Sequence, residues 1–260
     1  MLTVGIDVGS ITTKAAVVKD GEVIADKVIS TGYNAQHAGE DVFERIISGI
    51  GIEPDAIDKI ISTGYGRNSV TIADKAITEI TCHAMGAYYL DPMVRSVIDI
   101  GGQDSKAIAV NDSGSPLNFA MNDKCAAGTG RFLEVMARAL EVDLDNFGEF
   151  SLNAEHPSPI SSLCTVFAES EVISLISKGE QRENIIAGIH ESIAARVVAM
   201  ANRVGFKTRI MMTGGVAKNI GVVRALEQKI GQKIVVSKKS QVTGAIGAAM
   251  IAQAQVEGRR

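Results

Sequence analysis

Two cysteines lie at positions where the sequence predicts that a helix begins. Cys125 lies within the segment 122–131, and the apolar residues that follow it recur at helical spacing, as do those that follow Cys164. The N-terminal end of a helix carries about half a positive elementary charge and unpaired N–H groups. Such an end stabilises a thiolate or an anionic metal–sulfur group. The pattern therefore predicts two thiol sites that favour negative charge.

The cysteines by themselves leave other interpretations open. Buried structural cysteines would explain both positions, because a cysteine commonly packs as a small apolar side chain. A mononuclear zinc site built on Cys82, His83 and the other two cysteines has no ligand spacing in its favour. Cys82 lies in an apolar, helix-like run, so we expect it to be a core residue that binds no metal.

A second pattern, Asp-x-Gly at the end of an apolar strand, occurs twice. Asp7 and Asp99 each stand two positions before a glycine and seven before a lysine, Lys14 or Lys106. Glycine turns let N–H groups approach phosphate oxygens, and a carboxylate from each turn suits Mg²⁺ held largely through water. One copy would be ordinary turn chemistry, but two predict a nucleotide triphosphate site without a P-loop. Hydroxyl donors follow the first turn, at Ser10, Thr12 and Thr13.

The composition limits the classes of protein. With 260 residues, of which 46% are hydrophobic, the chain can bury a large core in one large or two smaller domains. A net charge of -4 argues against nonspecific binding to nucleic acid or anionic lipid. No apolar run reaches the roughly 18 residues of a membrane helix, and no basic leader precedes the first strand. We therefore expect a cytoplasmic protein with no nucleic-acid or membrane partner and with reduced cysteines.

Two similar α/β units would position these residues. In each, a strand ending on Asp-x-Gly precedes a short apolar strand and a turn, and the segment 60–64 is matched by 211–214. The second copy holds the longer insertion, and both Cys125 and Cys164 lie in it. The expected domains are residues 1–95, residues 96–242 with an insertion at about 120–180, and a C-terminal helix, 243–260, that packs on the first half. Predicted strands are 14–18, 22–29, 59–62, 209–212 and 233–236, and predicted helices are 39–50, 183–204, 219–230 and 243–255.

These motifs resemble those of the ATPase superfamily of actin, sugar kinases and heat-shock chaperones. The segments 6–14 and 98–103 are similar to its two phosphate motifs, and 211–217 is similar to its adenosine motif. More narrowly, the segments 63–68, 99–104, 122–131 and 164–172 resemble the ATP-dependent activators of (R)-2-hydroxyacyl-CoA dehydratases, which are BadF/BadG/BcrA/BcrD-type ATPases. The resemblance implies a duplicated actin-like, ribonuclease H-like α/β fold with a nucleotide cleft between its halves.

The resemblance also implies a homodimer in which the subunits share one 4Fe-4S cluster, with Cys125 and Cys164 as the ligands from each. One chain has too few cysteines for the four thiolates that a cluster usually takes, whereas a twofold axis supplies two plus two. The implied activity is ATP hydrolysis coupled to transfer of one electron, from ferredoxin or flavodoxin to a (R)-2-hydroxyacyl-CoA dehydratase. ATP or ADP and Mg²⁺ are the other expected cofactors.

Particular residues follow from the motifs. Asp7 and Asp99 are expected to hold Mg²⁺ through water, and Gln103 or Asp104 to orient the attacking water, although both fit ordinary hairpin-turn residues as well. The nucleotide would contact Gly9, Ser10, Ile11, Thr12, Thr13, Lys14, Gly101, Gly102, Gln103, Gly214, Gly215, Val216 and Gln241.

Three other functions share part of this pattern. A small-molecule kinase would keep both phosphate motifs but would not need Cys125 or Cys164. An ATP-switched chaperone or scaffold would need a separate binding domain, and the chain has no linker that would mark one. An ATPase component of a benzoyl-CoA reductase type complex shares the motifs and is the nearest alternative.

Overall fold

Two mixed β-sheets organise the computed structural model, which describes residues 1–161 and 164–258. The first has the strand order β3-β2-β1-β4-β5, formed by β1 (Leu2–Val8), β2 (Thr12–Lys19), β3 (Glu22–Ser30), β4 (Lys59–Thr63) and β5 (Lys75–Ala76). The second has the order β8-β7-β6-β9-β10, formed by β6 (Ser96–Ile100), β7 (Ser105–Val110), β8 (Pro116–Asn122), β9 (Ile210–Thr213) and β10 (Ile234–Val236).

The two sheets repeat one topology, residue for residue at their centres. Asp7 is in register with Lys14 on the antiparallel neighbour β2 and with Thr63 on the parallel neighbour β4. Asp99 is likewise in register with Lys106 on β7 and with Thr213 on β9. The predicted fold class, a duplicated α/β fold with two similar halves, is therefore confirmed.

Helices cover both sheets. In the described residues they are α1 (Ala35–Ile50), α2 (Glu79–Leu90), α3 (Gly130–Ala139), α4 (Phe147–Ser151), α5 (Thr165–Ser177), α6 (Arg182–Val204), α7 (Ile220–Ile230) and α8 (Thr243–Glu257). The apolar side of α1, with Val42, Phe43, Ile46 and Ile47, packs against β1 and β2, while α3, α6 and α7 share a larger core with β6 and β9. None of the helices in the described part of the chain is long and apolar enough to span a membrane.

Helices α2 and α8 pack closely because glycines face each other at their crossing. A Cβ atom added at Gly247 would lie 1.8 Å from the carbonyl oxygen of Cys82, and one added at Gly86 would lie 2.0 Å from the carbonyl oxygen of Thr243. Helix α8 also packs on β1 and β4, and α2 packs on β6 and β7. The pair of helices thus contacts both sheets. The division of the chain at residues 95 and 242 stays a prediction.

Candidate functional site

A cavity of about 680 Å³ is lined by the strand ends of both sheets. β1 and β6 are the central strands of their sheets, and the turns that follow their C-terminal ends both line this cavity. The predicted residues that line it are Asp7, Gly9, Ser10, Ile11, Thr12, Lys14, Asp99, Gly101, Gly102, Gln103, Asp104, Gly214, Gly215, Val216 and Gln241.

Thr13 is the predicted nucleotide residue that does not line the cavity. Successive side chains of a strand point to opposite faces, so Thr12 and Lys14 face the cavity while Thr13 faces the other way. Its side chain is fully buried, and its hydroxyl lies 2.9 Å from that of Thr31. The expectation that the Thr13 hydroxyl donates to phosphate was therefore wrong.

The second-half aspartate belongs to a buried polar cluster. Asp99 is 2% exposed, and its Oδ1 accepts a hydrogen bond from the Thr213 hydroxyl (2.9 Å) and lies 3.3 Å from His83 Nδ1. Its Oδ2 accepts from the ammonium of Lys106 at 3.0 Å. Burial alone would raise the pKa of Asp99, but His83 and Lys106 outweigh it and hold that pKa below its usual value. The anionic form of Asp99 is thus favoured, and both of its oxygens are already engaged.

Lys106 is the centre of this cluster. Its ammonium, 1% exposed, contacts Asp104 at 2.7 Å, Asp99 at 3.0 Å and Glu79 at 3.3 Å. Burial alone would lower the pKa of Lys106, but the three carboxylates more than offset burial and raise it. Burial also raises the pKa of Glu79, a change that Lys106 only partly opposes. A carboxyl group with a raised pKa that lines a cavity is a candidate for accepting or donating a proton.

Glu79 and His83 were not predicted as site residues. Both lie on α2, which follows the first sheet, and they reach the cavity only because α2 packs on β6 and β7. The sequence held one signal, the pair Thr78 and Glu79 at a helix start, since the Thr78 side chain caps α2 by accepting from Thr81 N. That signal predicts a helix and says nothing about which cavity the helix enters.

The first-half aspartate has fewer partners than its counterpart. Asp7 Oδ2 lies 3.3 Å from Lys14 Nζ, and the Asp7 side chain is 7% exposed. Backbone packs close around it, because a Cβ atom added at Gly64 would lie 2.4 Å from Asp7 Oδ1, and one at Gly244 would lie 3.0 Å from Oδ2. Asp7 therefore faces the cavity with less of its hydrogen-bonding capacity used than Asp99.

Gln103 and Asp104 differ in how they are held. Asp104 is tied to Lys106, and a Cβ atom added at Gly101 would lie 2.5 Å from its Oδ1. Gln103 is exposed, lines the cavity and makes no side-chain hydrogen bond within residues 1–161 and 164–258. Gln103 is thus the better placed of the two to orient a water molecule.

A short turn after β9, where the sequence predicts the adenosine motif, lines another side of the cavity. Gly214, with φ +86°, opens the 3₁₀ turn Gly215–Lys218, and its N–H donates to the carbonyl of Ser240 at 2.9 Å. The ammonium of Lys218 donates to the side chain of Gln241 across this turn. A Cβ atom added at Gly214 would lie 2.3 Å from the carbonyl oxygen of Ile100, so only glycine fits there.

The carboxylates of the cavity fit a Mg²⁺ ion bound mainly through water. Within the described residues no three His, Cys, Asp or Glu side chains are arranged to hold a metal directly. Asp7 and Asp99 both line the cavity, but Lys106 and Thr213 already engage Asp99. Mg²⁺ usually keeps several waters and takes one or two carboxylates together with substrate phosphates. This donor set therefore suits a hydrated Mg²⁺ brought with the nucleotide.

The three cysteines carry thiols in different environments. Cys82 is buried, and burial raises the pKa of its thiol to about 12. Cys125 and Cys164 are exposed. Cys164 is the N-cap residue of α5, as predicted. Cys125 lies four residues before Thr129, the N-cap of α3, so it is farther from the start of its helix than predicted. Part of the segment 161–167, residues 162 and 163, lies outside the described residues.

The loop that carries Cys125 is bonded at one end to the turn after β6 (residues 101–104), which is the predicted second phosphate turn, and at the other end to β7, the strand that follows this turn. On one side Asn122, the last residue of β8, pairs with Ser105, and its amide donates to the carbonyl of Cys125 at 2.8 Å. On the other side the N–H of Gly130 donates to the carbonyl of Gly101 at 2.9 Å. The next residue repeats the contact, since Arg131 N–H donates to Gly102 at 2.8 Å. The turn and the loop are therefore connected directly by two backbone hydrogen bonds.

Helix α5, which begins after Cys164, has an exposed apolar side. Its exposed large apolar residues are Val166 (66%), Phe167 (67%), Ile173 (55%) and Ile176 (42%). The helix buries Ala168 and Val172 on its other side. An exposed group of this kind at a helix is typical of a surface that another molecule covers.

The chain is similar to known proteins over its whole length. An activator of lactoyl-CoA dehydratase from Anaerotignum propionicum is 51% identical over 256 residues, which is 97% of each chain. The crystal structure of component A of (R)-2-hydroxyglutaryl-CoA dehydratase from Acidaminococcus fermentans has a TM-score of 0.95 at 47% identity and covers 99% of both chains. The activator of the 2-hydroxyisocaproyl-CoA dehydratase from Clostridium difficile, with bound ADPNP, has a TM-score of 0.94 at 45% identity and covers 100% of this chain and 97% of that one.

More distant similarities bear on the alternative functions. A ROK family glucokinase from Streptomyces griseus has a TM-score of 0.61 at 12% identity, covers 98% of this chain and all of its own, and so shows the shared fold alone. A polypeptide of the benzoyl-CoA reductase from Thauera aromatica is 35% identical over 217 residues, 81% of this chain and 77% of that one. The model described as the BadF/BadG/BcrA/BcrD ATPase family matches residues 4–252, and the chain belongs to this family of ATPases.

Proposed function

We propose that this chain is an ATP-driven activator that passes one electron to a (R)-2-hydroxyacyl-CoA dehydratase. The observation that supports the proposal is the attachment of the Cys125 loop to the predicted second phosphate turn, through Gly130 and Arg131, and to β7, the strand that follows this turn. A kinase would need no such link, because its phosphate turn has only to position a nucleotide. In an activator the link gives nucleotide hydrolysis a direct effect on the position of a thiol.

The cavity residues have separate tasks in hydrolysis. The N–H groups of Gly9 and Gly101 donate to the carbonyls of Thr12 and Asp104, so the other N–H groups of these two turns, together with the ammonium of Lys14, bind phosphate oxygens. Asp7 is the carboxylate placed to hold a hydrated Mg²⁺, with Asp99 contributing mainly through water. Gln103 orients the attacking water, as glutamine does in other nucleotide hydrolases.

Two exposed thiols for each chain fit half of the ligand set of a 4Fe-4S cluster. Two copies related by a twofold axis supply four thiolates, from Cys125 and Cys164 of each. The exposed apolar side of α5 begins beside Cys164, so a second copy that covers it would also bring its own thiols close. Bound there, the cluster would supply a one-electron carrier at the interface between the two subunits.

The partners follow from the relatives. The similar proteins of high identity named above are activators or components of 2-hydroxyacyl-CoA dehydratases. We propose a dehydratase of that class as the electron acceptor, and ferredoxin or flavodoxin as the donor. The benzoyl-CoA reductase alternative has weaker support, since the reductase polypeptide matches a smaller part of the chain at lower identity.

The test begins with protein purified without oxygen. We expect about four iron and four sulfide per dimer, since two chains supply the four thiolates of one cluster. Either Cys125→Ser or Cys164→Ser should abolish iron retention, because each removes two of the four ligands, whereas Cys82→Ser should keep it. Iron-free wild-type protein would refute the cluster and favour the kinase. Equal iron in all three variants would refute the ligand assignment.

The same protein tests the coupling. The rate at which a chelator removes iron should differ at least about fivefold between the nucleotide-free and the ATP-analogue forms, which corresponds to the lower end of usual coupling energies. Asn122→Ala removes the side-chain contact to Cys125 and should reduce that difference, while Asn118→Ala on the same strand should not. Equal rates in all nucleotide states of the wild type would refute ATP-driven electron transfer.

A further inference from the structure

Arg67 is a positively charged residue that lines the cavity and has no assigned role in ATP hydrolysis. Four lysine or arginine side chains line the cavity, and two of them are already offset: Lys14 by Asp7, and Lys106 by its three carboxylates. Lys218 is bonded to neutral Gln241 in the adenosine turn. Arg67 has no carboxylate partner in the described part of the chain.

The turn that carries Arg67 is held against the first phosphate turn. Gly66 N–H donates to the carbonyl of Val8 at 2.9 Å, and Gly64, with φ +88°, packs directly on Asp7. Val8 immediately precedes the first phosphate turn, which begins at Gly9. Arg67 therefore lies at the phosphate end of the cavity, on the half that also supplies Lys14.

The guanidinium of Arg67 is held by one hydrogen bond to the backbone, and its other N–H donors remain available to a ligand. Both the backbone N–H and the Nη1 of Arg67 donate to the carbonyl of Gly64, at 3.3 and 3.0 Å. The carbonyl of Arg67 in turn accepts from the hydroxyl of Ser62 at 2.8 Å. A guanidinium has five N–H donors in a planar fork that matches two phosphoryl oxygens at once. One neutral carbonyl uses little of that capacity.

We propose that Arg67 binds the terminal phosphate of ATP and makes the site distinguish ATP from ADP. The third phosphoryl group adds about one negative charge, and Arg67 is the cation beside the first phosphate turn that no carboxylate already offsets. When the Arg67 guanidinium donates to phosphate oxygens instead of the Gly64 carbonyl, its hydrogen bonds become roughly twice as strong, because the acceptor is charged. This inference rests on the proposed ATP site and adds to it a residue that reads the state of the nucleotide.

The test compares two nucleotides on the purified homodimer with Mg²⁺. Dissociation constants for ADP and for a nonhydrolysable ATP analogue are measured by calorimetry for the wild type, Arg67→Gln and Arg67→Lys. We expect Arg67→Gln to weaken the analogue about 10- to 100-fold and ADP less than about threefold, because ADP lacks the group that Arg67 binds. Arg67→Lys should recover only part of the analogue affinity, since an ammonium is not a planar fork. The matched control is Arg45→Gln on the exposed side of α1, where Arg45 pairs with Asp41.

The outcomes separate this inference from the function on which it rests. If Arg67→Gln weakens both nucleotides equally, or neither, Arg67 does not read the terminal phosphate and the inference is refuted while the ATP site stands. If the wild type binds neither nucleotide, the proposed function falls as well. Thermal melting of each variant shows whether the turn still folds, and Arg67→Lys, which keeps the charge, decides the question if Arg67→Gln does not.

Discussion

Asp7→Asn and Asp99→Asn should have different consequences although the two aspartates occupy equivalent positions. Each stands opposite a lysine in a sheet of the same topology. Asp99 is engaged by Lys106, Thr213 and His83, whereas Asp7 has one ion-pair contact, to Lys14 at 3.3 Å. We therefore expect Asp99→Asn mainly to destabilise the fold and Asp7→Asn mainly to abolish hydrolysis.

The magnitudes follow from these contacts. The asparagine that replaces Asp99 keeps an oxygen for the Thr213 hydroxyl but turns an amide N–H toward the Lys106 ammonium. The charge-assisted hydrogen bond at 3.0 Å is lost, which reduces the free energy of unfolding by about 1.5 to 3 kcal/mol. The loss stays below the roughly 3 to 5 kcal/mol of a broken buried ion pair, because Asp104 and Glu79 still offset Lys106. For Asp7→Asn the longer contact predicts about 1 kcal/mol or less.

Two measurements check this difference. Urea unfolding with an unchanged slope gives the free energy of unfolding, and steady-state hydrolysis gives kcat. Asp7→Asn should reduce kcat about 100- to 1000-fold, because the proposed Mg²⁺ site would lose the carboxylate that holds the ion near the transition state. Lys106→Met is the reference for a large loss of stability, since it leaves the carboxylates of Glu79, Asp99 and Asp104 around an apolar side chain. A larger loss of stability in Asp7→Asn than in Asp99→Asn would refute the assignment of the two roles.

Two further predictions concern stability. Burial lowers the pKa of His190 to about 3, so between its ordinary pKa of about 6.5 and that value the unfolded chain binds a proton that the folded chain excludes. The free energy of unfolding should therefore fall by about 1.4 kcal/mol per pH unit below 6.5 through this group, and His190→Gln should remove that slope in urea titrations at pH 7.5 and 5.5. Gly247→Ala should reduce the melting temperature by about 5 °C or more, because its Cβ would meet the carbonyl of Cys82, while Gly49→Ala in open space on α1 should not.

The duplicated centre of the fold could be predicted because its information is local. In each half a strand ends on Asp-x-Gly, and a lysine follows seven residues after the aspartate. If the two strands form a hairpin around the glycine turn, this spacing places Asp7 opposite Lys14, as observed. Successive side chains of a strand face opposite sides of the sheet, so Thr13 faces away from the cavity that Thr12 and Lys14 line and does not donate to phosphate there. The prediction failed there because it grouped neighbouring hydroxyls by sequence and ignored the alternation.

The remainder of the site could not be predicted because it depends on contacts between distant elements. Lys106 stands out in the sequence as a repeated residue, but its three carboxylates come from β6, from the turn that follows β6 and from α2. Nothing local in the sequence places Glu79 beside Lys106, since α2 reaches the cavity only when it packs on the second sheet. The position of Cys125 was misjudged for a local reason: apolar spacing marks the helix interior, while the turn through Gly128 delays its start.

Hydrogen bonding at the two ends of the Cys125 loop explains how a small nucleotide-dependent change could reach the thiols. A flexible tether between the turn and the loop would absorb any small displacement of the turn that follows loss of the third phosphate. Here the carbonyls of Gly101 and Gly102 bond to the first two residues of α3, and β8 is paired with β7 up to Asn122. Packed elements of this kind move as units, so displacement of the turn shifts the loop rather than bending it. In the proposed homodimer, where four thiolates from two chains would converge, even a small rotation of each loop would change the fit at the dimer axis, and that requirement would make the junction an effective point of control.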